Sequence, residues 1–361
     1  MDHFRLTNGD DMFPAKGYQF IFRPTMCCNL GCTYCYASKL RDTAHSIMSE
    51  SEARACIDWM VRYCQYFEIS SASLLWHGGE PLLPGVDFLF NTLAYAKSRF
   101  DKVNIQLTNQ IQTNLLLVEE RHIELFKKYF EGSVGFSWDY GSRLRVYPNG
   151  KDASDDIWRK ALWCKEQGLR LGALCQIATG SRICPEELYR HFSDAEIPFR
   201  IGPIFPCMME AALDAAKIAC GVIDAWLGDA APKIDIGNFR ELIEALITGK
   251  HNKCYAEKNC GRVLLALSPG GKIYPCSRTT GENDVIGNFL HDAPDVVHRR
   301  RVDFYGDKNL EMCIACEYKQ VCVGGCPFHR KIGWHECECA YNRRVIGHLA
   351  DWINKVGYDC V

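Results

Sequence analysis

The sequence predicts an α/β protein whose core is a parallel, curved or barrel-like sheet built from six β-then-α units. Two observations lead to this fold class. Short apolar runs alternate with longer stretches of helical periodicity from residue 18 to residue 204, and this alternation is typical of parallel sheets. Glycine-rich or polar stretches follow the strands, and in parallel sheets the chemistry gathers at the carboxyl ends of the strands.

Each unit is predicted from its own stretch of sequence. Residues 18–24 form an apolar strand that leads into a cysteine-rich loop, and Ser49 and Glu52 have the spacing of a capping box at the start of the first helix. The predicted strands are 18–24, 73–76, 103–112, 134–138, 170–177 and 199–204. The predicted helices are 50–67, 86–100, 119–129, 155–167 and 185–193.

Two further regions follow the predicted sheet. Apolar periodicity predicts connector helices at 208–226 and 239–248 that pack against it. Beyond them the chain becomes rich in cysteine. We therefore expect three parts: 1–206, the connector 207–252, and a cysteine-rich extension at 253–361.

Composition limits the functional classes. The net charge is −2, so we expect neither nucleic acid nor an anionic membrane as a partner. No apolar run approaches ~18 residues, and the N-terminal residues lack a signal-peptide pattern. We expect a cytoplasmic protein, where 21 cysteines indicate metal ligation or redox chemistry rather than disulfides.

One short loop carries the strongest chemical signal. Cys28, Cys32 and Cys35 stand in a C-x3-C-x2-C spacing directly after the first predicted strand. Three thiolates can hold three irons of a cubane cluster, whereas most iron–sulfur clusters have four cysteine ligands. The spacing therefore predicts that another ligand occupies the fourth iron.

The cysteine spacing, Tyr34 before Cys35, and Gly78-Gly79-Glu80-Pro81 after the second strand resemble the radical S-adenosylmethionine (SAM) family. The resemblance implies a [4Fe-4S] cluster with SAM on its open iron. Reductive cleavage of SAM would then give a 5′-deoxyadenosyl radical that abstracts hydrogen. The backbone at Gly78 and Gly79 would receive the methionine ammonium, because glycine permits close approach, and Glu80 would add a negative charge.

Other cofactor contacts follow by position from the same resemblance. Ser137 and Arg145 match family positions that hold the polar groups of SAM, and Arg145 could bind its carboxylate in a bidentate way. Arg145 could also be an ordinary solvated arginine, and Trp76 and His77 could be interior packing. By the same resemblance, Gln112, Thr113 and Asn114 lie near the substrate or the ribose, and Ile201 contacts the adenine. Tyr34 is also predicted to bind the cofactor.

The cysteine-rich extension resembles the SPASM domain of radical SAM enzymes, which carries two auxiliary [4Fe-4S] clusters. The resemblance assigns Cys254, Cys260, Cys276 and Cys326 to the nearer cluster. It assigns Cys313, Cys316, Cys322 and Cys339 to the farther one. Cys339 is preferred to Cys337 because it would directly precede the final helix. By spacing alone, zinc is an equal alternative; the radical SAM core favours iron.

Enzymes of this two-part type mostly modify ribosomally made peptides or proteins. The length and cysteine layout resemble anaerobic sulfatase-maturating enzymes, which form formylglycine. However, the position expected for their aspartate base holds Arg240 or Asn238, and neither is a carboxylate. Asp235 is the nearby candidate base.

The stretch Gly135–Arg143 is closer to cyclophane-forming peptide maturases. The leading hypothesis is therefore a radical SAM oxidoreductase that forms a C–C crosslink in a precursor peptide, with flavodoxin or ferredoxin as electron donor. The second hypothesis is sulfatase maturation. A non-catalytic metal-binding scaffold is an alternative of a different class.

Overall fold

The structure is a computed structural model, and it describes residues 17–38, 47–178, 183–205, 207–249, 263–304, 311–322 and 324–356. The chain folds as two compact units. The first unit comprises Met1–Cys28, Lys39–Ile111 and Asn259–Gly306. The second comprises Asn29–Ser38, Gln112–Lys258 and Asp307–Val361. The predicted division into three parts at residues 206 and 252 follows chain order and stays a prediction.

Parallel strands form the core of the first unit. Strand β1 (Gly17–Thr25) lies between β2 (Ser71–Gly78) and β7 (Leu264–Leu267), and the first part of β3 (Gln106–Thr113) pairs with β2. All of these pairs are parallel. Strand β1 is buried over most of its length, as expected for a strand covered on both faces of a parallel sheet.

A short antiparallel arm extends this sheet. Strand β8 (Lys272–Tyr274) pairs antiparallel with β7 and with β9 (Gly287–Asn288), so a hairpin precedes Cys276. The helices of the first unit are α1 (Glu50–Tyr66), α2 (Val86–Asp101) and α8 (Pro294–Phe304).

The second unit continues the parallel series. Gln112 and Thr113 at the end of β3 pair with β4 (Ser133–Ser137), which pairs with β5 (Arg170–Ile177) and then β6 (Phe199–Pro203). The helices described in this unit are α3 (Glu120–Tyr129), α4 (Ser154–Glu166), α5 (Pro185–Asp194), α6 (Met209–Leu227), α7 (Gly237–Thr248), α9 (Glu311–Ile314), α10 (Lys319–Cys322), α11 (Pro327–Lys331) and α12 (His335–Val356).

The predicted α/β fold with six successive parallel strands is confirmed, and the boundaries differ by a few residues. Strand β3 begins at Gln106 rather than at residue 103, because a turn with Asn104 at φ +55° intervenes. Helix α1 starts as predicted, with the Ser49 hydroxyl accepting from the Glu52 amide at 3.2 Å. The reciprocal half of the capping box is absent here, since the Glu52 carboxylate accepts from the amides of Gly270 and Gly271 instead.

Helix α12 packs against the connector helix α6 within the second unit. His348 Nε2 lies 2.7 Å from Asp224 Oδ1, and the Cys220 thiol lies 3.9 Å from the Arg344 carbonyl oxygen. Among the described helices, none has the length and apolar composition required to cross a bilayer.

Candidate active site

The cysteine loop follows β1 and is tied down by backbone hydrogen bonds. In the second unit, the Gly31 amide donates to the Val146 carbonyl at 2.6 Å, and the Thr33 amide donates to the Leu144 carbonyl at 3.0 Å. The part of the loop that carries Cys32 and Cys35 is therefore held in place by the segment after β4. Cys28 belongs to the first unit.

A buried carboxylate anchors the same loop through a side chain. Asp139 is 1% exposed and accepts from the Tyr34 hydroxyl at 2.6 Å, the Gln176 amide at 2.8 Å and the Arg145 guanidinium at 3.1 Å. The Arg145 guanidinium also lies over the Tyr34 ring, at 5.4 Å from its centroid. These residues form a clamp, which we call the Asp139 clamp, next to Cys35.

The clamp fixes the protonation state of its members. Burial, with a further contribution from Asp139, raises the pKa of the Tyr34 hydroxyl above its ordinary value, so the phenol keeps its proton. Burial alone would lower the pKa of Arg145, but Asp139 raises it above its ordinary value. Arg145 is thus a buried cation already paired within the protein, rather than a solvated arginine. Its pairing with the SAM carboxylate stays a prediction.

Polar side chains line the carboxyl ends of β3 and β4. The Gln112 amide donates to the Ser137 hydroxyl at 2.8 Å, and the Asn114 amide donates to Asn29 Oδ1 at 2.7 Å. Thr113 is buried, and its hydroxyl caps the following turn by accepting from the Leu115 amide. The structure therefore brings Gln112 and Ser137 together at adjacent strand ends, as the sequence predicts.

The Gly78-Gly79-Glu80 turn of the first unit meets the backbone that leads to Cys28. The Gly79 amide donates to the Thr25 carbonyl at 2.9 Å, and the Glu80 amide donates to the Cys27 carbonyl at 2.8 Å. A Cβ atom on Gly79 would overlap the Cys27 carbonyl oxygen. Glycine is thus required here for close packing of two backbone segments, in addition to the predicted approach of the cofactor.

Of the two residues just before this turn, Trp76 is interior packing, as one predicted alternative holds, and His77 is partly buried. Trp76 is fully buried, and its ring lies edge-on to Phe22 at 4.8 Å. His77 Nδ1 accepts from the Gly78 amide at 2.7 Å. Burial and the nearby Arg23 cation lower the pKa of His77 to about 4, so its imidazole is neutral at physiological pH.

Two predicted residues lie at β6. Ile201 is buried, and its backbone amide and carbonyl both bond to the Asn238 side chain. Asp235 lies at the opposite, starting end of β6, where its carbonyl accepts from the Phe199 amide and its carboxylate pairs with Arg240. This position is remote from the carboxyl ends of the strands in the second unit and gives no support to Asp235 as a base.

Four cysteines of the extension surround a cavity in the second unit. Cys313, Cys316, Cys322 and Cys339 all line a cavity of about 100 Å³. Among the described residues, no group of three or more His, Cys, Asp or Glu side chains is arranged to hold a single metal ion. Four thiols around one cavity fit a cluster ligated by four cysteines.

The cavity distinguishes Cys339 from Cys337 as the last cluster ligand, whereas the predicted position of Cys339 just before the final helix does not. Helix α12 begins at His335, so both Cys337 and Cys339 lie inside the helix, and the expectation that Cys339 directly precedes it is wrong. Cys339 faces the cavity, whereas Cys337 lies beside the Cys207 thiol. Cys254 and Cys260 lie outside the described residues.

Sequence reasoning missed a carboxylate that lies at the four-thiol cavity, next to Cys326. Glu338 is 8% exposed, lines the cavity, and accepts from the Cys326 amide at 2.9 Å. Its Oε2 also lies 3.2 Å from Nδ1 of the buried His329. The sequence shows a glutamate between Cys337 and Cys339, but apolar periodicity alone predicts that such a residue lies on a polar face of the helix.

Comparison with known proteins supports the chemistry of this site. Residues 22–187 match the family model described as the radical SAM superfamily. The cysteine-type anaerobic sulfatase-maturating enzyme of Clostridium perfringens (strain 13) is 24% identical over 323 residues, covering 83% of this chain and 85% of that protein.

Two solved structures share the fold. Native anSMEcpe with bound AdoMet and Cp18Cys peptide has a TM-score of 0.74 at 20% identity, covering 94% of this chain and 100% of the other. Streptococcus suis SuiB bound to its precursor peptide SuiA has a TM-score of 0.60 at 18% identity, covering 89% of this chain and 73% of the other.

Enzymes of the matched superfamily use SAM and a [4Fe-4S] cluster, and the cysteine spacing of the loop after β1 provides three ligands for that cluster. Residues 22–187 of the chain are therefore a radical SAM domain, and the cofactors of that domain are SAM and a [4Fe-4S] cluster.

Proposed function

We propose that this radical SAM enzyme oxidises a side chain in a ribosomally made peptide or protein. The four-thiol cavity carries the proposal, because a radical reaction that ends in an oxidised product requires an acceptor for one electron. The likeness to two structures with peptides bound supports a peptide as the substrate.

In this proposal Cys28, Cys32 and Cys35 hold the cluster that binds SAM. When bound, SAM and its cluster supply a carbon radical that takes a hydrogen atom from the substrate. The protein's residues orient SAM and exclude water. The proposed SAM-binding residues are Tyr34, Gly78, Gly79, Glu80, Gln112, Thr113, Asn114, Ser137, Arg145 and Ile201.

Two auxiliary [4Fe-4S] clusters would carry electrons between the substrate and the exterior. The farther cluster is assigned to Cys313, Cys316, Cys322 and Cys339. The nearer cluster is assigned to Cys254, Cys260, Cys276 and Cys326. An external donor such as flavodoxin or ferredoxin would deliver the electrons that the reaction consumes. The SPASM extension at 253–361 is the proposed domain for both clusters.

Carbon–carbon crosslinking is the first candidate reaction. Joining a ring carbon to a side-chain carbon removes two hydrogens: one is abstracted as an atom, and the other leaves as a proton when an electron passes to an auxiliary cluster. This route requires no carboxylate at the connector position. The crosslinking route is therefore compatible with a carboxylate of Asp235 that is paired with Arg240 at the starting end of β6.

Sulfatase maturation is the second candidate reaction. It is favoured by the similarity to anaerobic sulfatase-maturating enzymes over most of both chains. The two candidates differ in their products, since formylglycine contains a new aldehyde and a crosslink does not.

Anaerobic turnover with a candidate peptide tests the proposal. We expect release of 5′-deoxyadenosine on reduction with dithionite, together with a peptide that has lost two hydrogens and does not react with a hydrazine. A hydrazine-reactive peptide would support sulfatase maturation over crosslinking. Release of 5′-deoxyadenosine without any change in peptides of either class would contradict peptide modification.

Two variants control this experiment. Cys32→Ala should abolish 5′-deoxyadenosine release because it removes a ligand of the SAM cluster. Cys56→Ala removes a fully buried thiol on α1 that is assigned no ligand role, and it should leave release unchanged.

A further inference from the structure

Arg23 is a fully buried arginine in a largely buried strand. It lies near the end of β1 and is 0% exposed. Among the described residues, no carboxylate lies within 4.0 Å of its guanidinium. An isolated buried charge is strongly unfavourable, so buried charges in proteins are normally paired or lie beside metal centres.

The guanidinium instead binds the turn that carries Cys276. Its Nη2 donates to the carbonyls of Cys276 at 3.2 Å and Ser277 at 2.7 Å, and its Nη1 donates to the Thr279 carbonyl at 3.1 Å. Three carbonyls of four consecutive residues thus converge on one side chain. The fork geometry of arginine can hold several acceptors at once, which the ammonium group of lysine cannot do with the same rigidity.

The turn is closed from within by Thr279. This residue is fully buried, and its hydroxyl donates to the Cys276 carbonyl at 2.8 Å and lies 3.9 Å from the Cys276 sulfur. The Cys276 thiol is therefore held on a short turn that is fixed by a hydroxyl and by a cation.

Within the part of the chain that the structure describes, no neighbouring group supplies a compensating negative charge. The His77 imidazole is neutral, as described above, partly because of Arg23 itself. Glu282, which lies on the segment after the turn, pairs with Lys272. The Nε atom of Arg23 is buried and has no hydrogen-bond partner among the described residues. The carbonyls, the Ser268 hydroxyl at 3.3 Å and the Tyr274 ring at 5.4 Å solvate the guanidinium with dipoles and a π face, but they carry no formal negative charge.

We propose that Arg23 is the positioning residue and fixed counter-cation of the auxiliary cluster held by Cys276, an inference that rests on the proposed function. A cluster ligated by four thiolates is net anionic and becomes more so on reduction. A fixed cation at the ligand turn stabilises the reduced form, and net charge and hydrogen bonding near a cluster set its reduction potential. Arg23 thereby makes this cluster a better electron acceptor.

Iron analysis and EPR-monitored redox titration of the reconstituted holoenzyme test this role. We expect Arg23→Gln either to lose about four irons per chain, one cluster's content, or to retain them with one midpoint potential shifted to lower values. Arg23→Lys keeps the charge, so it should keep that midpoint closer to the wild-type value than Arg23→Gln does. Wild-type iron content with unchanged midpoints in Arg23→Gln would overturn the proposal.

Two matched variants separate charge from position. Thr279→Val removes the hydroxyl that closes the turn and lies 3.9 Å from the Cys276 sulfur but leaves the cation, so it should lower the midpoint potential by less than Arg23→Gln does. Arg299→Gln removes an arginine with a 71% exposed side chain elsewhere in the first unit, and it should change neither iron content nor any midpoint. A shift in Arg299→Gln equal to that in Arg23→Gln would contradict a local effect.

A second variant tests the positioning role if Arg23→Gln does not fold. If Arg23→Gln gives no folded protein, Arg23→Lys should lose iron to a chelator faster than wild type, because fewer carbonyls of the turn are held. Equal rates would overturn the positioning role. A wild-type protein with only about four irons would instead contradict the proposed auxiliary clusters, which is a different failure.

Discussion

Replacing Asp139 by Asn removes the carboxylate at the centre of the Asp139 clamp. The side chains of Arg145 and Asp139 are only 9% and 1% exposed, so the change leaves an uncompensated buried guanidinium. The Asn amide group would also face the donors of Tyr34 and Arg145 with a donor of its own. Breaking one partner of a buried ion pair costs about 3–5 kcal/mol, and we expect a loss of that size in the free energy of unfolding.

Urea unfolding under anaerobic conditions, followed by fluorescence, measures this loss, because the buried Trp138 lies next to Asp139. Asp214→Asn is the matched control: its partner is Lys217, the two side chains are 49% and 69% exposed, and such pairs contribute about 0–1 kcal/mol. The double variant Asp139→Asn/Arg145→Met removes both charges and should recover part of the loss. A cost for Asp139→Asn no larger than that of the control would refute the assignment of a buried, energetically important ion pair.

Three further predictions concern the strand ends. Gly79→Ala should abolish cofactor binding, because its Cβ would overlap the Cys27 carbonyl, whereas Gly17→Ala, with only an ordinary 3.4 Å contact, should be tolerated; equal SAM affinity in a binding assay would contradict this. The pKa of His77 is about 4 in the folded protein, against an ordinary value of 6.5. Between pH 4 and pH 6.5 the unfolded chain therefore binds more protons than the folded protein, so the free energy of unfolding should fall by about 3 kcal/mol as the pH drops from 6.5 to 4. His77→Gln should flatten that pH dependence of unfolding, and an unchanged slope would refute it. Asp235→Asn should leave turnover unchanged, since its carboxylate is paired with Arg240 at the starting end of β6; a collapse in peptide turnover would restore it as a base.

The parallel strands could be predicted because each carries its signal locally. Apolar runs such as 170–177 match strand β5 residue for residue, and Ser49 marks the start of α1 through its own side chain. Boundaries shifted where a turn depends on neighbours, as at Asn104.

The contacts that organise the site could not be read from local pattern. Arg23 binds a turn 253 to 256 residues away in sequence, and Tyr34 meets Asp139 across 105 residues. An arginine in a buried strand and an aspartate after a strand are visible in the sequence, but their partners are fixed only by tertiary packing. The burial of Glu338 could not be predicted for the same reason, because a helical pattern does not show which polar residue faces the interior.

Iron analysis of the anaerobically reconstituted protein, with Cys339→Ala and Cys337→Ala beside the wild type, tests the central claim most directly. We predict about twelve irons per chain for the wild type, from three four-iron clusters. Cys339→Ala should lose about four, while Cys337→Ala, whose thiol lies beside Cys207, should retain the wild-type content. Zinc in place of iron, or about four irons in all three proteins, would contradict the assignment of two auxiliary clusters.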